Sequence, residues 1–324
     1  MKNQDWKQVY KELLASPSKS DCEKAFALKA AHLPNKLYRY RNFTSESMVW
    51  RINEILSGEI YLSHTDSLND PLEACSMVTS RTYASYSMGE ELYMACLKND
   101  LTPQQFEAIF SSENWHYELL KMVVDKSCQF TPEKKKHIAE SLQDAAMKEV
   151  ANGNERINQS SRNMMRIACF TTKADNLPMW SHYGDSHKGI CLEYNTSDIT
   201  DPAQKEKLFP VLYVDQLPDM MHSSATRSLP KKAPEYLASH KLDDWKYEDE
   251  WRLLYSMANF YNDINAVPPE MWCQGKSIEF VRPSRIIIGM SMPDATEKML
   301  RNLSQHLGIV VSKVTKNEAG IEFL

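Results

Sequence analysis

Apolar residues at Met48, Val49, Ile52, Ile55 and Leu56 recur at helical spacing, so residues 46–57 predict an amphipathic helix. Gly58 follows where helices commonly end in a left-handed residue. Leu37 to Tyr40, after Pro34, predicts a short strand before this helix, and Ile60 to Ser63 predicts one after it. Upstream, residues 4–32 read as two helices. The second opens at Ser20-Asp21-Cys22-Glu23, a capping box in outline. Ile167 to Thr171, Gly189 to Tyr194 and Leu208 to Val214 are further strand candidates. The chain ends on a βαβ pattern. Ile286-Ile287-Ile288-Gly289 reads as a buried strand, and Asp294 and Glu297 can cap a helix burying Met299, Leu300, Leu303 and Leu307. Gly308 stops that helix, and Ile309-Val310-Val311 is the returning strand.

Between about residues 78 and 164 the pattern changes. Helix formers dominate, and only Gly89, Gly153, Pro103 and Pro132 interrupt them. The expected fold class is therefore α+β: a mixed sheet core with a helical insertion. N-terminal helices occupy 1–35, the α/β core 36–77 and 165–324, and the insertion 78–164. Sitting between two α/β stretches, the insertion is expected to act as a lid or target-recognition surface.

Composition narrows the class without naming a chemistry. A chain of 324 residues, 42% hydrophobic and 25% charged, has the make-up of a soluble globular protein of one large or two moderate domains. A net charge of −5 gives no global footprint for nucleic acid, although a local basic groove is compatible with it. The seven cysteines are scattered, with no pair at metal-ligand spacing, which fits a reducing compartment. Met1 to Tyr10 is polar rather than signal-like, and no run of eighteen apolar residues occurs. A cytoplasmic location without a membrane is expected. Nothing in the pattern fixes the oligomeric state.

Candidate chemistry lies in four polar-aromatic segments. In Leu37-Tyr38-Arg39-Tyr40-Arg41, alternation gives one aromatic and one cationic strand face. Arg39 and Arg41 either clamp a phosphate in bidentate fashion or lie solvated on an exposed edge. Tyr61 to Glu73 holds Ser63, His64 and the turn signal Asn69-Asp70-Pro71. The third segment combines Phe170-Thr171-Thr172 with Trp180-Ser181-His182-Tyr183. It reads either as a recognition pocket or as a buried aromatic corner. In the fourth, Lys241 to Arg252, Glu248 and Glu250 stand two apart before the strand-like Leu253-Leu254-Tyr255. On a strand both carboxylates point one way, and their repulsion raises one pKa. The alternative is a solvated acid pair neutralised by Lys246 and Arg252. No P-loop, dinucleotide fingerprint, zinc-protease helix or kinase signature is present, and nine glycines are few for such loops.

Together these segments resemble the bacterial domain of unknown function 2971. The residues carrying the resemblance include Leu37-Tyr38-Arg39-Tyr40, Asn69-Asp70-Pro71-Leu72-Glu73, Met179-Trp180-Ser181-His182-Tyr183 and Trp245-Lys246-Tyr247-Glu248 with Glu250-Trp251-Arg252. It runs from about residue 36 to 290. A looser likeness is to ADP-ribosyltransferases, which carry an early-strand Arg, an aromatic-x-Ser-Thr-Ser strand and a late Glu-x-Glu. Arg39 or Arg41 resembles the first. Thr171-Thr172, or Leu62-Ser63, resembles the second, and Glu248 and Glu250 resemble the third. The central segment has threonines where the pattern has serine.

That likeness implies NAD as substrate, with Glu250 as catalytic carboxylate and Glu248 orienting the acceptor. Arg39 and Arg41 would hold the pyrophosphate. Tyr38, Tyr40, Ser63, Thr171, Trp180, His182 and Tyr183 would complete the NAD site. The acceptor, protein or nucleic acid, is unknown, and a toxin or phage-defence role is implied. Two other classes fit the same clusters. One is a metal-dependent hydrolase or nuclease using Asp66, Asp70, Glu73, Glu248 and Glu250 to hold magnesium. The other is a non-catalytic ligand- or partner-binding module.

Overall fold

The structure is a computed structural model that describes residues 6–77, 121, 130–219, 230–317 and 320–323. Among the described residues its centre is a ten-stranded mixed sheet in the order β12 (Gly320–Phe323), β11 (Val310–Asn317), β10 (Arg285–Ile288), β4 (Ile190–Asn195), β1 (Lys36–Arg41), β3 (Met165–Thr171), β2 (Glu59–His64), β9 (Lys276–Glu279), with β8 (Glu250–Ser256) also paired to β3 and β5 (Leu208–Pro210) to β8. The strands that build the site are β1 (Lys36–Arg41), β2 (Glu59–His64), β3 (Met165–Thr171), β4 (Ile190–Asn195) and β8 (Glu250–Ser256). Their mutual pairings are antiparallel. β10 (Arg285–Ile288) and β11 (Val310–Asn317) pair in parallel through helix Asp294–Leu307, which is the βαβ unit expected from the sequence.

The apolar pattern decides which faces are covered. Leu37, Phe170, Leu192, Tyr194 and Ile286 share one core with Ile55 of α3 (Met48–Ser57) and Leu300. Tyr40, Cys191 and Ile287 belong to a separate cluster with Met179 and Trp180. Gly58 ends α3 with φ 70, in the left-handed region open to glycine.

Several elements differ from the sequence expectation. The second N-terminal helix starts at Lys19, because the Ser18 side chain accepts from the Asp21 N–H and caps it there. The run from Leu208 to Val214 is two strands. Leu208–Pro210 pairs with β8, and Leu212–Val214 turns away to pair with His240–Leu242. Of the expected insertion, helix Pro132–Met164 is described, while 78–120 and 122–129 lie outside the described residues. Among the described residues no helix is long and apolar enough to cross a membrane.

Candidate functional site

β3 meets β2 only near its start, at Ser63↔Ile167 and His64↔Arg166. It meets β1 only at its end, at Tyr38↔Thr171. A cleft of about 650 Å³ is lined by residues of all three strands, together with Met179, His182, Tyr183, Asp185, Lys241, Glu248 and Glu250.

One end of the cleft is cationic. β1 is an interior strand, so its arginines are not a solvated edge face. Arg39 is 4% exposed, and a charge so buried needs a partner. That partner is Glu54 of α3, whose Oε1 lies 3.1 Å from Arg39 Nη1. Arg39 Nη2 also donates to Tyr61 O at 3.0 Å, bridging β1 to β2. Arg41 Nε and Arg51 Nη1 reach the other oxygen of Glu54 at 3.3 and 3.6 Å. Three guanidiniums thus share one carboxylate. Burial raises the Glu54 pKa, but the three arginines outweigh it and hold the acid low. Burial, and then the charge of Arg41, lowers Arg39 and Arg51 to about 10 each.

The other end is built on a turn. Glu248 does not lie on the strand, as expected from its spacing. It ends the 3-10 helix Asp243–Glu248; Asp249 follows with φ 43, and the strand begins at Glu250. Both acids nevertheless converge. Lys241 Nζ donates to Glu248 Oε2 at 2.6 Å and to Glu250 Oε2 at 3.2 Å. Arg252, fully buried, forks onto Glu250 at 2.8 and 3.0 Å and also pairs with Glu73. Three carboxylates here face two cations.

The two glutamates are not equivalent. Glu250 is opposed by burial, but Arg252 and Lys241 dominate and bring its pKa down to about 2. Glu248 is raised, first by burial and then by the Glu250 charge, with Lys241 and Tyr183 only partly compensating. Its Oε1 accepts the Tyr183 hydroxyl at 2.6 Å. Environments that push two carboxyls apart in this way mark different roles for them. Glu250 is held by the Arg252 fork, whereas Glu248 is held by Lys241 and the Tyr183 hydroxyl.

Tyr38, Arg39, Tyr40, Arg41, Ser63, Thr171, His182, Tyr183, Glu248 and Glu250 all line this cleft. Trp180 is absent from its lining. It is fully buried, donates from Nε1 to Ala174 O at 2.9 Å and packs edge-on against Tyr40. It is a support for the wall. The Thr171 hydroxyl donates to Glu248 O at 2.5 Å, so it holds the acid turn rather than pointing free. Trp251 is core, while Trp245 is half-buried beneath the Lys241 ammonium. The proposed magnesium acids do not form one group. Asp66 pairs with Arg162, Asp70 accepts the Leu72 N–H, and Glu73 and Glu250 both face Arg252. Among the described residues no set of three or more His, Cys, Asp or Glu is arranged to hold a metal ion.

Sequence reasoning missed Arg51 and Asp185 as lining residues, and gave no role to Lys241 and Tyr61, which stand at the head of two candidate segments. Arg51 had a readable signal, since it stands three residues before Glu54 on a helix and so shares its face. Asp185 sits in a run of left-handed residues, Asp185, Ser186 and His187, with φ of 48, 50 and 67. Gly189 and Gly289 pin this turn, because a Cβ on either would fall 2.2 Å from a backbone oxygen.

With the cleft defined, one comparison finds a likeness over part of the chain. Residues 179–253 match the model of DUF2971, described as a protein of unknown function. The matched segment contains His182, Tyr183, Lys241, Glu248 and Glu250, the acidic end of the cleft. No curated protein and no solved structure matches the chain. The ADP-ribosyltransferase resemblance thus gains no support from these comparisons.

Proposed function

We propose that the cleft binds NAD and that the chain is an ADP-ribosyltransferase-like enzyme, with Glu248 as its working carboxylate. The observation that carries this reading is the two-poled charge of the cleft. Arg39, Arg41 and Arg51 outnumber Glu54 at one end, and Glu73, Glu248 and Glu250 outnumber Lys241 and Arg252 at the other. NAD has matching poles, an anionic pyrophosphate and a cationic nicotinamide. Tyr38, Tyr61 and Tyr183 along the walls offer aromatic faces for its rings.

In the proposed reaction an acceptor oxygen bonds to the ribose anomeric carbon as the carbon–nitrogen bond breaks. The bonding pair stays on the nicotinamide nitrogen, which leaves neutral. The acceptor's proton passes to Glu248. A carboxylate with a raised pKa is the better base for that step. The negative pole also favours the positive charge that develops on the ribose. Glu250 and Lys241 position Glu248.

Nicotinamide release from NAD tests the reading, with water, protein and nucleic acid supplied in turn as acceptors. Glu248→Gln is expected to lower turnover by about a hundredfold or more while NAD affinity changes little, since the proton transfer belongs to the transition state. Absence of release from the wild type with every acceptor would reject the enzyme reading. NAD binding without release would leave a binding module.

A further inference from the structure

The carboxylates that line the cleft are not all committed. Glu73 and Glu250 are held by Arg252, and Glu248 by Lys241 and Tyr183. Asp185 also lines the cleft, half-buried, and among the described residues its carboxylate makes no hydrogen bond or ion pair. It is nonetheless firmly placed. Asp185 opens a run of three left-handed residues with Ser186 and His187. Such a run is costly for side chains other than glycine. The surroundings hold it. The Ser186 N–H donates to Ser181 O at 3.3 Å and the His187 N–H to Trp180 O at 3.2 Å, while His187 O accepts the Ser291 N–H at 2.9 Å. The His187 ring stacks on Trp180. Glycine stands at 184 and 189, where a Cβ would fall 2.8 and 2.2 Å from a backbone oxygen. It does not stand at the three left-handed positions, where it would relieve strain. Retained strain of this kind points to a role for the side chains. Ser186 is exposed and His187 packs on Trp180, so Asp185 is the one of the three that lines the cleft. Tyr183, just before the turn, donates to Glu248, and Gly189, just after it, packs against Arg41 O. Chain continuity thus sets Asp185 between the acidic and the cationic ends.

We propose that Asp185 is a specificity-determining residue that accepts the vicinal hydroxyls of a sugar lying between the anionic and cationic groups of the ligand. Both its oxygens are unpartnered, so each can accept one O–H. Adjacent hydroxyls on a sugar ring present two such donors side by side. The arginines at one end draw the anion and the excess acid at the other draws the cation, which leaves the neutral linking portion to Asp185. The strained turn fixes the carboxylate before the ligand arrives, so little ordering is needed on binding. The subsite deepens the NAD reading and rests on it for the order of groups along the ligand.

Nicotinamide mononucleotide is the probe, since it carries an anion, a sugar and a cation in one molecule. It is titrated calorimetrically into the full chain beside its dideoxy analogue, which has the same charges and lacks the hydroxyl pair. The wild type is expected to bind the analogue about tenfold more weakly, or worse. Asp185→Asn keeps the left-handed turn, because asparagine adopts that conformation readily, and should weaken mononucleotide binding by about tenfold or more. On the analogue the same variant should change affinity by less than about twofold, because the contact it removes is already gone. Asp243→Asn, at an exposed acid outside the cleft lining, should change neither affinity. Thermal melts establish that each variant folds, and the comparison of the two probes on the wild type needs no variant. No binding of the mononucleotide by the wild type overturns the subsite. So does equal wild-type affinity for the two probes, an equal loss by Asp185→Asn on both, or an equal loss in Asp243→Asn. Hydroxyl-dependent binding through Asp185 with no nicotinamide release from NAD leaves the subsite standing and the NAD reaction refuted. Nicotinamide release with no dependence of affinity on Asp185 or on the hydroxyls leaves the reaction standing and the subsite refuted.

Discussion

Lys241→Met isolates the charge that holds the two glutamates together. Methionine keeps much of the length and removes only the ammonium. Lys241 is 5% exposed and bonds Glu248 at 2.6 Å and Glu250 at 3.2 Å. Without it, Glu73, Glu248 and Glu250 face Arg252 alone. Glu250 keeps the Arg252 fork, but Glu248 keeps only the Tyr183 hydroxyl. Removing one partner of a buried ion pair costs about 3–5 kcal/mol. Glu248 borders the cleft, so the lower figure, about 3 kcal/mol at neutral pH, is expected. The pH dependence has a definite sign. Glu248 already has a folded pKa raised above its ordinary value of 4.5, and the variant raises it further. A carboxyl raised in this way favours folding most below its unfolded pKa and loses that contribution as pH rises through the folded one. The penalty should therefore shrink as the pH falls from 7 towards about 5. Glu250 keeps the Arg252 fork that chiefly holds it low, while Glu73, raised by burial and also losing the Lys241 charge, shifts in the same direction as Glu248. Urea unfolding of wild type and variant across these pH values measures the difference. A penalty below about 1 kcal/mol at neutral pH, or one that grows on acidification, would refute the reasoning.

Tyr183→Phe removes the hydroxyl that stabilises the Glu248 carboxylate at 2.6 Å. The Glu248 pKa should rise further, read by carboxyl-carbon NMR titration. Ser186→Gly should stabilise the chain by about 0.5–1 kcal/mol in thermal melts, because Ser186 is exposed at φ 50 and glycine relieves the left-handed strain. Gly189→Ala should cost about 3 kcal/mol in denaturant unfolding, since its Cβ would fall 2.2 Å from Arg41 O, where the rigid strand cannot yield.

The elements with a local cause were legible. α3 with Gly58 and the terminal βαβ unit follow from apolar spacing and a left-handed stop. The Leu208–Val214 run misled because all its residues suit a strand, while Pro210 offers no N–H to continue the ladder. At that point the chain changes sheets: the Val211 N–H goes to Glu250 O and the Leu212 N–H to Ser239 O. The cleft was legible as a set of residue types and opaque as pairings. Alternation in β1 separates Arg39 and Arg41 from Tyr38 and Tyr40, but it cannot say that α3 covers the arginine face with Glu54. Nor can it say that Arg252 draws Glu73 from 179 residues upstream. Such pairings decide which charges remain for a ligand, and they are tertiary.

The acid pair shows how a correct residue set can follow from an incorrect local geometry. Alternation along a strand would place Glu248 and Glu250 on one face, yet only Glu250 is on the strand. Convergence depends instead on Asp249 at φ 43, a conformation that aspartate tolerates better than most residues. The turn is held from β3. The Thr172 N–H bonds Asp249 O at 3.2 Å, the Thr172 hydroxyl bonds the Asp249 carboxylate, and the Thr171 hydroxyl bonds Glu248 O. Threonines that resembled a ligand-binding strand motif are therefore the clamp that aims the acids. With Glu250 held by Arg252 and the threonine hydroxyls engaged on the turn, Glu248 is the less constrained of the two acids at this end of the cleft. The placement of both carboxylates accordingly depends on the Asp249 turn as much as on either glutamate.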